Sequence, residues 1–480
     1  MSLLDIALSV ALCISTVITV FIVTLPSQFV PSGSRNNGPH EQELGRQNGP
    51  KYDNDTKNKD DSSVQVVVLG DIGHSPRMQY HAISIAKHGV KVQLIGYLES
   101  ELHPDIVTNS LITVVSLPAA PKSLQTGSRL LFLLLGPLKV LWQVWSLYYA
   151  LGYRTKPSKW MLVQNPPSIP TLAIAQIICY FRNTRLVIDW HNFGYSILAL
   201  KLGNNHPLVK ASEIYESFYS RSAAFNFAVT DVMAQKLRSQ YNIKTETLHD
   251  RPPQHFQPLT PEERIAFLTR LPETAKHAHE IVTGSRKLIV SATSWTVDED
   301  FSILLDALVA YSTEVDHLPQ LPKILAIITG KGPRKEPYLS KIQQLEKDGC
   351  LTNVSVLTAW LTPGDYATLL GAADLGISLH TSSSGVDLPM KVVDMFGTGL
   401  PVVGWSKFLA WPELVKEDIN GKGFGSVAEL QSLLGSLFSN PDRLKRLRDG
   451  ALQECNHRWD DEWNPVAGRL FHLVDDQPPK

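Results

Sequence analysis

The sequence of 480 residues carries a formal net charge of -1, with 43% hydrophobic and 19% charged residues. This composition supports large buried cores and excludes a wholly disordered chain. The near-neutral charge argues against a nucleic-acid-binding protein. The four cysteines contain no CxxC pair, so we expect neither a disulfide framework nor a cysteine zinc site.

The chain begins with an apolar segment. Ile6 to Leu25 contains no charged residue, and a helix of that length spans the hydrocarbon core of a bilayer. A cleaved signal peptide is the alternative, but no Lys or Arg precedes the segment, which is also longer than a typical signal-peptide apolar region. We therefore predict an uncleaved transmembrane anchor in residues 1–30, followed by a flexible polar tether in residues 31–63. The cations that follow the anchor, beginning with Arg35, place the rest of the chain in the cytosol by the positive-inside rule.

Beyond the tether, strand-like and helix-like segments alternate in two successive series. The first opens with "VQVVVLGDIG" (64–73), a continuous apolar run typical of a buried parallel strand that ends in a glycine loop. The second opens with "KLIVSATSW", after the polar stretch 258–286. This alternation predicts an α/β protein with two Rossmann-like, doubly wound domains, 64–275 and 276–455, that face a cleft. We expect the active site in that cleft and residues 456–480 packed back on the N-terminal domain.

The segment 130–153, "LLFLLLGPLKVLWQVWSLYYALGY", is more apolar than the rest of the first series. One interpretation is a core helix that is broken at Gly136-Pro137. The other is a hydrophobic surface that enters the bilayer interface, for which the Trp, Tyr and Leu content is suitable. Both interpretations stay open at this point because an apolar run of this length is ambiguous by sequence.

A helix with an unusual start is predicted in "SSSGVDLPMKVVDMFGTGLP" (382–401). Asp387 is suited to the N-cap, Pro389 to the first turn and Gly399 to the C-terminal cap, which predicts a helix over 388–398. The N-terminus of a helix presents unpaired N–H groups and a partial positive charge, so it is suited to binding phosphate.

The residues around this helix start are the types that a nucleotide requires. The loop before it offers hydroxyls and close backbone approach from Ser382, Ser383, Ser384 and Gly385. Lys391 and Asp394 are three residues apart and share a helical face, where they could bind a diphosphate and ribose hydroxyls, respectively. The alternative is a weak ion pair between the two on a solvated face.

Two further loops of the second series follow strands and are predicted to reach the same edge of the sheet. In "TSWTVDEDF" (293–301), Thr296 or Asp298 is predicted to cap a helix, and the acidic run is predicted to be its first turn rather than a metal site. In "TGKGP" (329–333), the two glycines allow the backbone to approach a phosphate and the lysine could neutralise it. The predicted donor-binding residues of this loop are Gly330, Lys331 and Gly332.

Several strings resemble one family. They are "VVVLGDIGHSPRMQYHA", "VIDWHNFGYSI", "HDRPPQHF", "SATSWTVDEDF", "TGKGP" and "SSSGVDLPMKVVDMFGTGLPVV". From about residue 64 to about residue 460 the chain is similar to the eukaryotic β-1,4-mannosyltransferases of the dolichol pathway, glycosyltransferase family 33. The resemblance implies a GT-B fold and an inverting transfer of mannose from GDP-mannose to dolichol-diphosphate-linked chitobiose.

The resemblance also implies the setting of the reaction. It implies a single-pass protein of the endoplasmic reticulum membrane with the catalytic domain on the cytosolic face, in contact with membrane lipid. It leaves open homo- or hetero-oligomers with other transferases of the pathway. No cofactor or metal is required by the fold, and stimulation by a divalent cation such as Mg²⁺ stays open.

An inverting transferase needs a base for the acceptor hydroxyl, which we expect from the first domain. His191, in "IDWHN", is predicted to be that base or a sugar-positioning group, with Asp189 orienting it. The alternative is that His191 only packs near the edge of the sheet. The predicted acceptor-binding residues are Gly73, His74, Arg77, Asn192 and Arg251. Many relatives are expected to carry arginine where this chain has His74, which puts a charge contact from that position in doubt.

Three rival functions share this architecture. A nucleotide-sugar 2-epimerase would need no membrane anchor. A retaining GT-B transferase carries two glutamates near the donor helix, whereas Asp387 and Asp394 are the acids here. A non-catalytic scaffold is disfavoured because the predicted donor loops are intact.

Overall fold

The computed structural model describes residues 63–119, 121, 129–293, 295–296, 299–318 and 320–475. The predicted anchor and, apart from Ser63, the predicted tether lie outside these residues. Within the described part of the chain, no helix is both long enough and apolar enough to cross a membrane.

The first sheet contains seven strands in the order β3-β2-β1-β4-β5-β6-β7. They are β1 (Ser63–Asp71), β2 (Lys91–Tyr97), β3 (Ile112–Ser116), β4 (Trp160–Asn165), β5 (Arg185–Trp190), β6 (Phe225–Ala228) and β7 (Glu246–Thr247). β1 pairs in parallel with both β2 and β4, so the strand order reverses between β1 and β4. The apolar run that predicts the first strand is buried on both faces, as a central parallel strand requires.

Helices connect these strands. They are α1 (Pro76–Lys87), α2 (Pro104–Thr108), α3 (Arg129–Tyr149) with the π-helical turn Ala150–Arg154, α4 (Thr171–Arg182), α5 (Gly194–Leu202), α6 (Pro207–Ser220) and α7 (Asp231–Tyr241).

The second sheet contains six strands in the order β10-β9-β8-β11-β12-β13. They are β8 (Arg286–Ala292), β9 (Lys323–Thr329), β10 (Val354–Ala359), β11 (Leu375–Ser378), β12 (Val402–Trp405) and β13 (Gly421–Phe424). The pairs are parallel, and Ala292 at the end of β8 pairs with Thr329 at the end of β9. The order reverses between β8 and β11, which pair with each other. In a doubly wound sheet, ligands bind at such a reversal, at the carboxyl ends of the strands.

The helices of this second part follow the same alternation. They are α8 (Pro261–Arg270), α9 (Pro272–Ala275), α10 (Ala278–Thr283), α11 (Phe301–His317), α12 (Lys335–Lys347), α13 (Pro363–Ala372), α14 (Met390–Gly397), α15 (Trp411–Leu414), α16 (Val427–Ser439), α17 (Pro441–Cys455) and α18 (Trp459–Trp463), which continues into the π-helical turn Asn464–Gly468. The prediction of two doubly wound parallel sheets is confirmed.

The chain divides into two compact units. Of the described residues, those up to Trp190 and His206–Asn226 form one unit, and His191–Asn205 and those from Phe227 onward form the other. The segment that carries His191 and Asn192 therefore belongs to the second unit. The domain limits expected from the sequence, and the packing expected for residues 456–480, stay predictions.

The apolar segment 130–153 forms α3, which runs without a break through Gly136-Pro137 and ends in the π-helical turn. The interpretation as a core helix that is broken at Gly136-Pro137 is therefore wrong. Its C-terminal part is buried at Leu147 and Leu151, but Leu141, Trp145 and Tyr149 are 62%, 49% and 43% exposed. These three exposed side chains are four residues apart and share one face of the helix.

Candidate active site

Helix α14 is the central element of the predicted donor site. It begins at Met390 and ends at Gly397, so it is shorter than the predicted 388–398. The N-cap is Pro389, whose side chain cannot accept a hydrogen bond, so the N-cap prediction for Asp387 is wrong. Gly399 lies just beyond the C-cap with a φ of +70°, the left-handed conformation in which glycine commonly ends a helix.

Asp387 organises the loop before α14 instead. The residue is 5% exposed, and its carboxylate accepts hydrogen bonds from Ser384 Oγ at 2.9 Å and from Ser382. The Nε2 atom of His380 lies 2.9 Å from Asp387 Oδ2. Burial would raise the pKa of Asp387, but the hydrogen bonds from His380 and the serines hold it below its usual value. The Ser384 hydroxyl predicted to bind donor phosphate is thus engaged with the aspartate.

Ser383, the middle serine, contacts the segment that follows β5. Asn192 Nδ2 donates a hydrogen bond to Ser383 Oγ at 3.1 Å, and the hydroxyl of Ser196 lies 3.3 Å from the same oxygen. A residue predicted to bind the acceptor is therefore in direct contact with one predicted to bind the donor. Gly385 adopts a φ of +75°, which allows the loop to turn before Val386.

Lys391 lies in the first turn of α14 and is half-buried, with 31% of its side chain exposed. It forms an ion pair with Glu299, which is only 6% exposed and also accepts a hydrogen bond from Thr293 Oγ1 at 2.6 Å. The prediction that Glu299 belongs to the acidic first turn of a helix is wrong. Asp300 is the N-cap of α11 and accepts from the Ser302 N–H, while Glu299 precedes the helix.

The helix-cap predictions for this loop therefore fail as well. Thr296 is half-buried and its carbonyl oxygen accepts a hydrogen bond from the Glu299 N–H at 3.3 Å, but it does not cap α11. Asp298 lies outside the described residues.

Asp394 is half-buried and lies on the side of α14 that contacts α13. The hydroxyl of Tyr366 donates to its Oδ2 atom at 3.5 Å. Burial and the nearby charge of Asp250 raise the pKa of Asp394 to about 7, although the Tyr366 hydroxyl opposes the rise. Lys391 is paired with Glu299, and both Lys391 and Asp394 are half-buried. Lys391 and Asp394 therefore do not form a simple ion pair on a solvated face.

The 329–333 loop lies beside the loop that follows β8. Gly330 has a φ of +124°, and a Cβ atom there would lie 1.8 Å from the Thr293 carbonyl oxygen. Glycine is therefore required for two backbone segments to meet at the end of the sheet. The ammonium group of Lys331 lies 3.8 Å from the centre of the Trp360 ring. The next residue, Gly332, is half-buried.

In the first unit, Arg77 and Asp189 form a buried ion pair. Arg77 Nε and Nη2 donate to the two carboxylate oxygens at 2.8 and 2.9 Å, and the two side chains are 1% and 0% exposed. His81 Nε2 lies 3.2 Å from Asp189 Oδ2 and is also fully buried. Arg77 was predicted to lie on an acceptor surface, but its guanidinium is held inside the unit.

The loop after β1 carries the other two predicted acceptor residues of this unit. His74 is 76% exposed, and its Nδ1 atom lies 2.8 Å from Asp71 Oδ2. Gly73 packs closely, because a Cβ atom there would lie 2.7 Å from the Glu101 carbonyl oxygen. His191 is half-buried at the start of the segment that follows β5.

Arg251 braces the C-terminal segment of the second unit. It pairs with Glu454, with 2.6 Å between Nη1 and Oε1, and with Glu462 at 3.4 Å. His249 lies between Glu413 and Glu462, at 3.1 and 3.2 Å. Burial opposes the charge on His249, but its hydrogen bonds with these two glutamates raise its pKa to about 9.

Asp231, His249 and Glu413 bring potential metal-ligand atoms within 4.8 Å of one another. A protonated imidazole has no lone pair for a metal, so the raised pKa of His249 opposes metal binding there. We assign no metal to this group.

Sequence reasoning missed three residues: Glu299 and His380, which contact the predicted donor residues, and His81, which contacts Asp189 in the first unit. Glu299 and His380 each follow a strand of the second sheet, and their backbones form an isolated β-bridge at the reversal of strand order. Their position after a strand is a signal that could have found them. His81 lies on an amphipathic helix, where the pattern alone predicts only burial.

Comparison with known proteins identifies the family. No family model matches the sequence. A chitobiosyldiphosphodolichol beta-mannosyltransferase of Arthroderma benhamiae is 53% identical over 382 residues, which cover 78% of this chain and 85% of that protein. The Homo sapiens protein of the same name is 41% identical over 429 residues, which cover 83% of this chain and 90% of that protein.

Solved structures support the fold. Sucrose-phosphate synthase from Thermosynechococcus elongatus gives a TM-score of 0.61 at 13% identity, over 86% of this chain and 98% of that one. Anabaena Alr3699/HepE, solved in complex with UDP and glucose, gives 0.58 at 16% identity, over 85% and 99%. These are GT-B glycosyltransferases, so the predicted GT-B fold is confirmed. By sequence identity and coverage, the chain belongs to the chitobiosyldiphosphodolichol beta-mannosyltransferase family.

Proposed function

We propose that this protein transfers mannose from GDP-mannose to dolichol-diphosphate-linked chitobiose and forms a β-1,4 linkage with inversion. The names of its relatives support the reaction class and the acceptor. The observation that carries the donor assignment is the position of Lys391. Lys391 lies in the first turn of α14, and its ammonium group reaches Glu299, which follows β8 and bridges His380 after β11, the two strands between which the order reverses.

The donor diphosphate would be bound at the start of α14. Departure of GDP leaves negative charge on its β-phosphate, and fixed N–H groups with a lysine ammonium stabilise such charge. Gly330 and Gly332 would let the backbone of the neighbouring loop approach the phosphates. Asp394 would accept hydrogen bonds from the ribose hydroxyls.

The transfer itself is a single displacement. The C4 hydroxyl oxygen of the terminal N-acetylglucosamine attacks C1 of mannose while the bond from C1 to the phosphate oxygen breaks. GDP leaves with the electron pair, and the hydroxyl proton passes to a base, for which we propose His191. One displacement converts the α-linked donor into a β-linked product.

The buried ion pair between Arg77 and Asp189 changes the roles proposed for these two residues. Because the Asp189 carboxylate binds Arg77 and His81, we propose that it anchors the end of β5, from which the chain continues to His191. Arg77 has no exposed surface for an acceptor diphosphate. His74 is the exposed side chain that remains for such a contact in the first strand-end loop.

The reaction is tested with the full chain in detergent, GDP-mannose labelled in the sugar and a polyprenyl diphosphate chitobiose. We expect a labelled lipid product whose new linkage is β by NMR coupling and is cleaved by β-mannosidase. UDP-glucose serves as the control donor and should give no product. A product cleaved by α-mannosidase would contradict inversion, and an absence of transfer would contradict the function.

We also propose that the protein resides in the endoplasmic reticulum membrane with its catalytic part in the cytosol. The uncharged run Ile6–Leu25 and the cations after it support this orientation. The exposed stripe on α3 adds support, since Trp145 and Tyr149 stack with ring centres 6.0 Å apart on one face, as in interfacial helices. Protease added to sealed microsomes should remove a C-terminal tag, whereas protection of the tag would contradict the orientation.

A further inference from the structure

A buried carboxylate lies beside the amine proposed to bind the donor. Glu299 is 6% exposed, and its two oxygens have different partners. Oε1 pairs with Lys391 Nζ, whereas Oε2 accepts a hydrogen bond from Thr293 Oγ1 at 2.6 Å. Burying a carboxylate is costly unless it is paired and hydrogen-bonded, and these contacts supply an ion pair and a hydrogen bond.

The backbone fixes Glu299 at the reversal of strand order. It forms an isolated β-bridge with His380, which follows β11, while Thr293 follows β8. Thr293 is fixed in turn, because its N–H donates to the Thr329 carbonyl oxygen at 2.9 Å and its hydroxyl accepts from the Trp295 N–H at 3.0 Å. Glu299 and its partner Thr293 are therefore fixed by contacts at the ends of three strands, β8, β9 and β11.

Lysine needs such support at a phosphate site. Its ammonium group is carried on a flexible four-carbon chain and loses rotamer freedom when it is fixed. An ammonium group has three N–H donors, so it can contact a carboxylate and phosphate oxygens together.

We infer that Glu299 is a positioning residue that fixes the Lys391 ammonium group for the diphosphate of the donor. This inference rests on the proposed function, in which Lys391 binds that diphosphate. If Glu299 only stabilised the fold, its substitution would lower the stability but would not change the part of the GDP affinity that depends on Lys391. The two roles can therefore be separated by measurement.

The test is a double-mutant cycle on GDP affinity, measured by calorimetry with the full chain in detergent. Glu299→Gln keeps the size of the side chain and removes its charge, and we expect GDP to bind about tenfold more weakly, the effect of weakening one hydrogen bond to a charged group. In a Lys391→Ala background the same change should alter the affinity less than about twofold. Asp300→Asn is the matched control, since it changes the adjacent carboxylate, which caps α11, and should leave the affinity unchanged.

Glu299→Asp separates position from charge. It keeps the carboxylate but shortens the side chain by one methylene group, so positioning predicts weaker GDP binding whereas simple charge balance predicts normal binding. Thermal unfolding without GDP shows whether each variant is folded.

Three outcomes would overturn the inference. The first is GDP binding by Glu299→Gln that is unchanged or tighter. The second is a loss of GDP affinity that is equal in the presence and absence of Lys391. The third is a variant that is less stable but binds GDP normally. If Lys391→Ala itself binds GDP normally, the proposed donor site fails as well, so the two failures can be distinguished.

Discussion

Arg77 and Asp189, 112 residues apart in sequence, form a bidentate ion pair inside the first unit, with both side chains no more than 1% exposed. The pair joins helix α1 to the end of β5, and His81 approaches the same carboxylate. A charge buried this deeply is stable only with its partner present. The pair therefore fixes two strand-end regions relative to each other within that unit.

Removing one member of this pair should be strongly destabilising. Asp189→Ala leaves the Arg77 guanidinium buried without its carboxylate, and we expect a loss of about 3 kcal/mol or more in the free energy of unfolding. Urea denaturation of the full chain checks this. His74→Ala, at an exposed position, should lose less than about 0.5 kcal/mol. Similar losses for both variants would contradict the structural role of the pair.

Gly330 should tolerate no side chain. Gly330→Ala places a Cβ atom 1.8 Å from the Thr293 carbonyl oxygen and forces alanine to a φ of +124°. We expect a loss of more than about 2 kcal/mol in stability and weaker GDP binding, because the loops after β8 and β9 must separate. Gly364→Ala is the control, since its Cβ would have no neighbour within 4 Å. Urea denaturation that gives the same stability for both variants would show that the two loops do not meet this closely.

Asp394 should make donor affinity depend on pH near neutrality. Its pKa is raised to about 7, so it is ionised above that pH and becomes protonated below it. The carboxylate is the better acceptor for ribose hydroxyls, so GDP-mannose affinity should fall as the pH is lowered from 8 to 6. GDP-mannose is the suitable ligand because its diphosphate does not titrate in this range.

Two variants control this pH profile. Asp394→Asn should bind more weakly, with an affinity that does not vary with pH. Asp250→Asn should shift the midpoint to lower pH, because the charge of Asp250 raises the pKa of Asp394. A wild-type affinity that is constant from pH 6 to 8 would be evidence against the ribose contact.

His249 should stabilise the fold in its charged form. Its folded-state pKa of about 9 lies above the ordinary value of 6.5. The contribution is therefore fully present below pH 6.5 and is lost as the pH rises through about 9. The thermal unfolding midpoint of His249→Gln should fall further below that of the wild type at pH 6 than at pH 10. An equal difference at both pH values would indicate a neutral imidazole.

His191 should matter for turnover rather than for donor binding. If it accepts the proton of the acceptor hydroxyl, His191→Ala should lower kcat by about a hundredfold or more with little change in GDP affinity. Steady-state transfer assays and GDP calorimetry on the same preparation measure the two effects. Asn192→Ala tests the adjacent contact with Ser383 and should change kcat less. Unchanged turnover in His191→Ala would exclude it as the base.

Local patterns predicted much of the fold. Continuous apolar runs correspond to β1, β8 and β9, because strands buried on both faces have no polar alternation. Gly399, which follows α14, and Gly330 both adopt positive φ, a conformation that few other residues accept. The cap of α14 was less predictable, because Asp387 had three competing hydrogen-bond donors in its own loop.

By itself, the sequence determined the alternation of strands and helices, the two parallel sheets and the family, since each depends on residues close together in the chain. Only the tertiary structure decided which charges are paired. Arg77 meets Asp189, Lys391 meets Glu299 and Arg251 meets Glu454 across 112, 92 and 203 residues. For residues this far apart in sequence, the separation does not indicate their distance in the fold. The same arginine or lysine can bind a ligand or a carboxylate. Its role is fixed by the carboxylate that the fold places within reach.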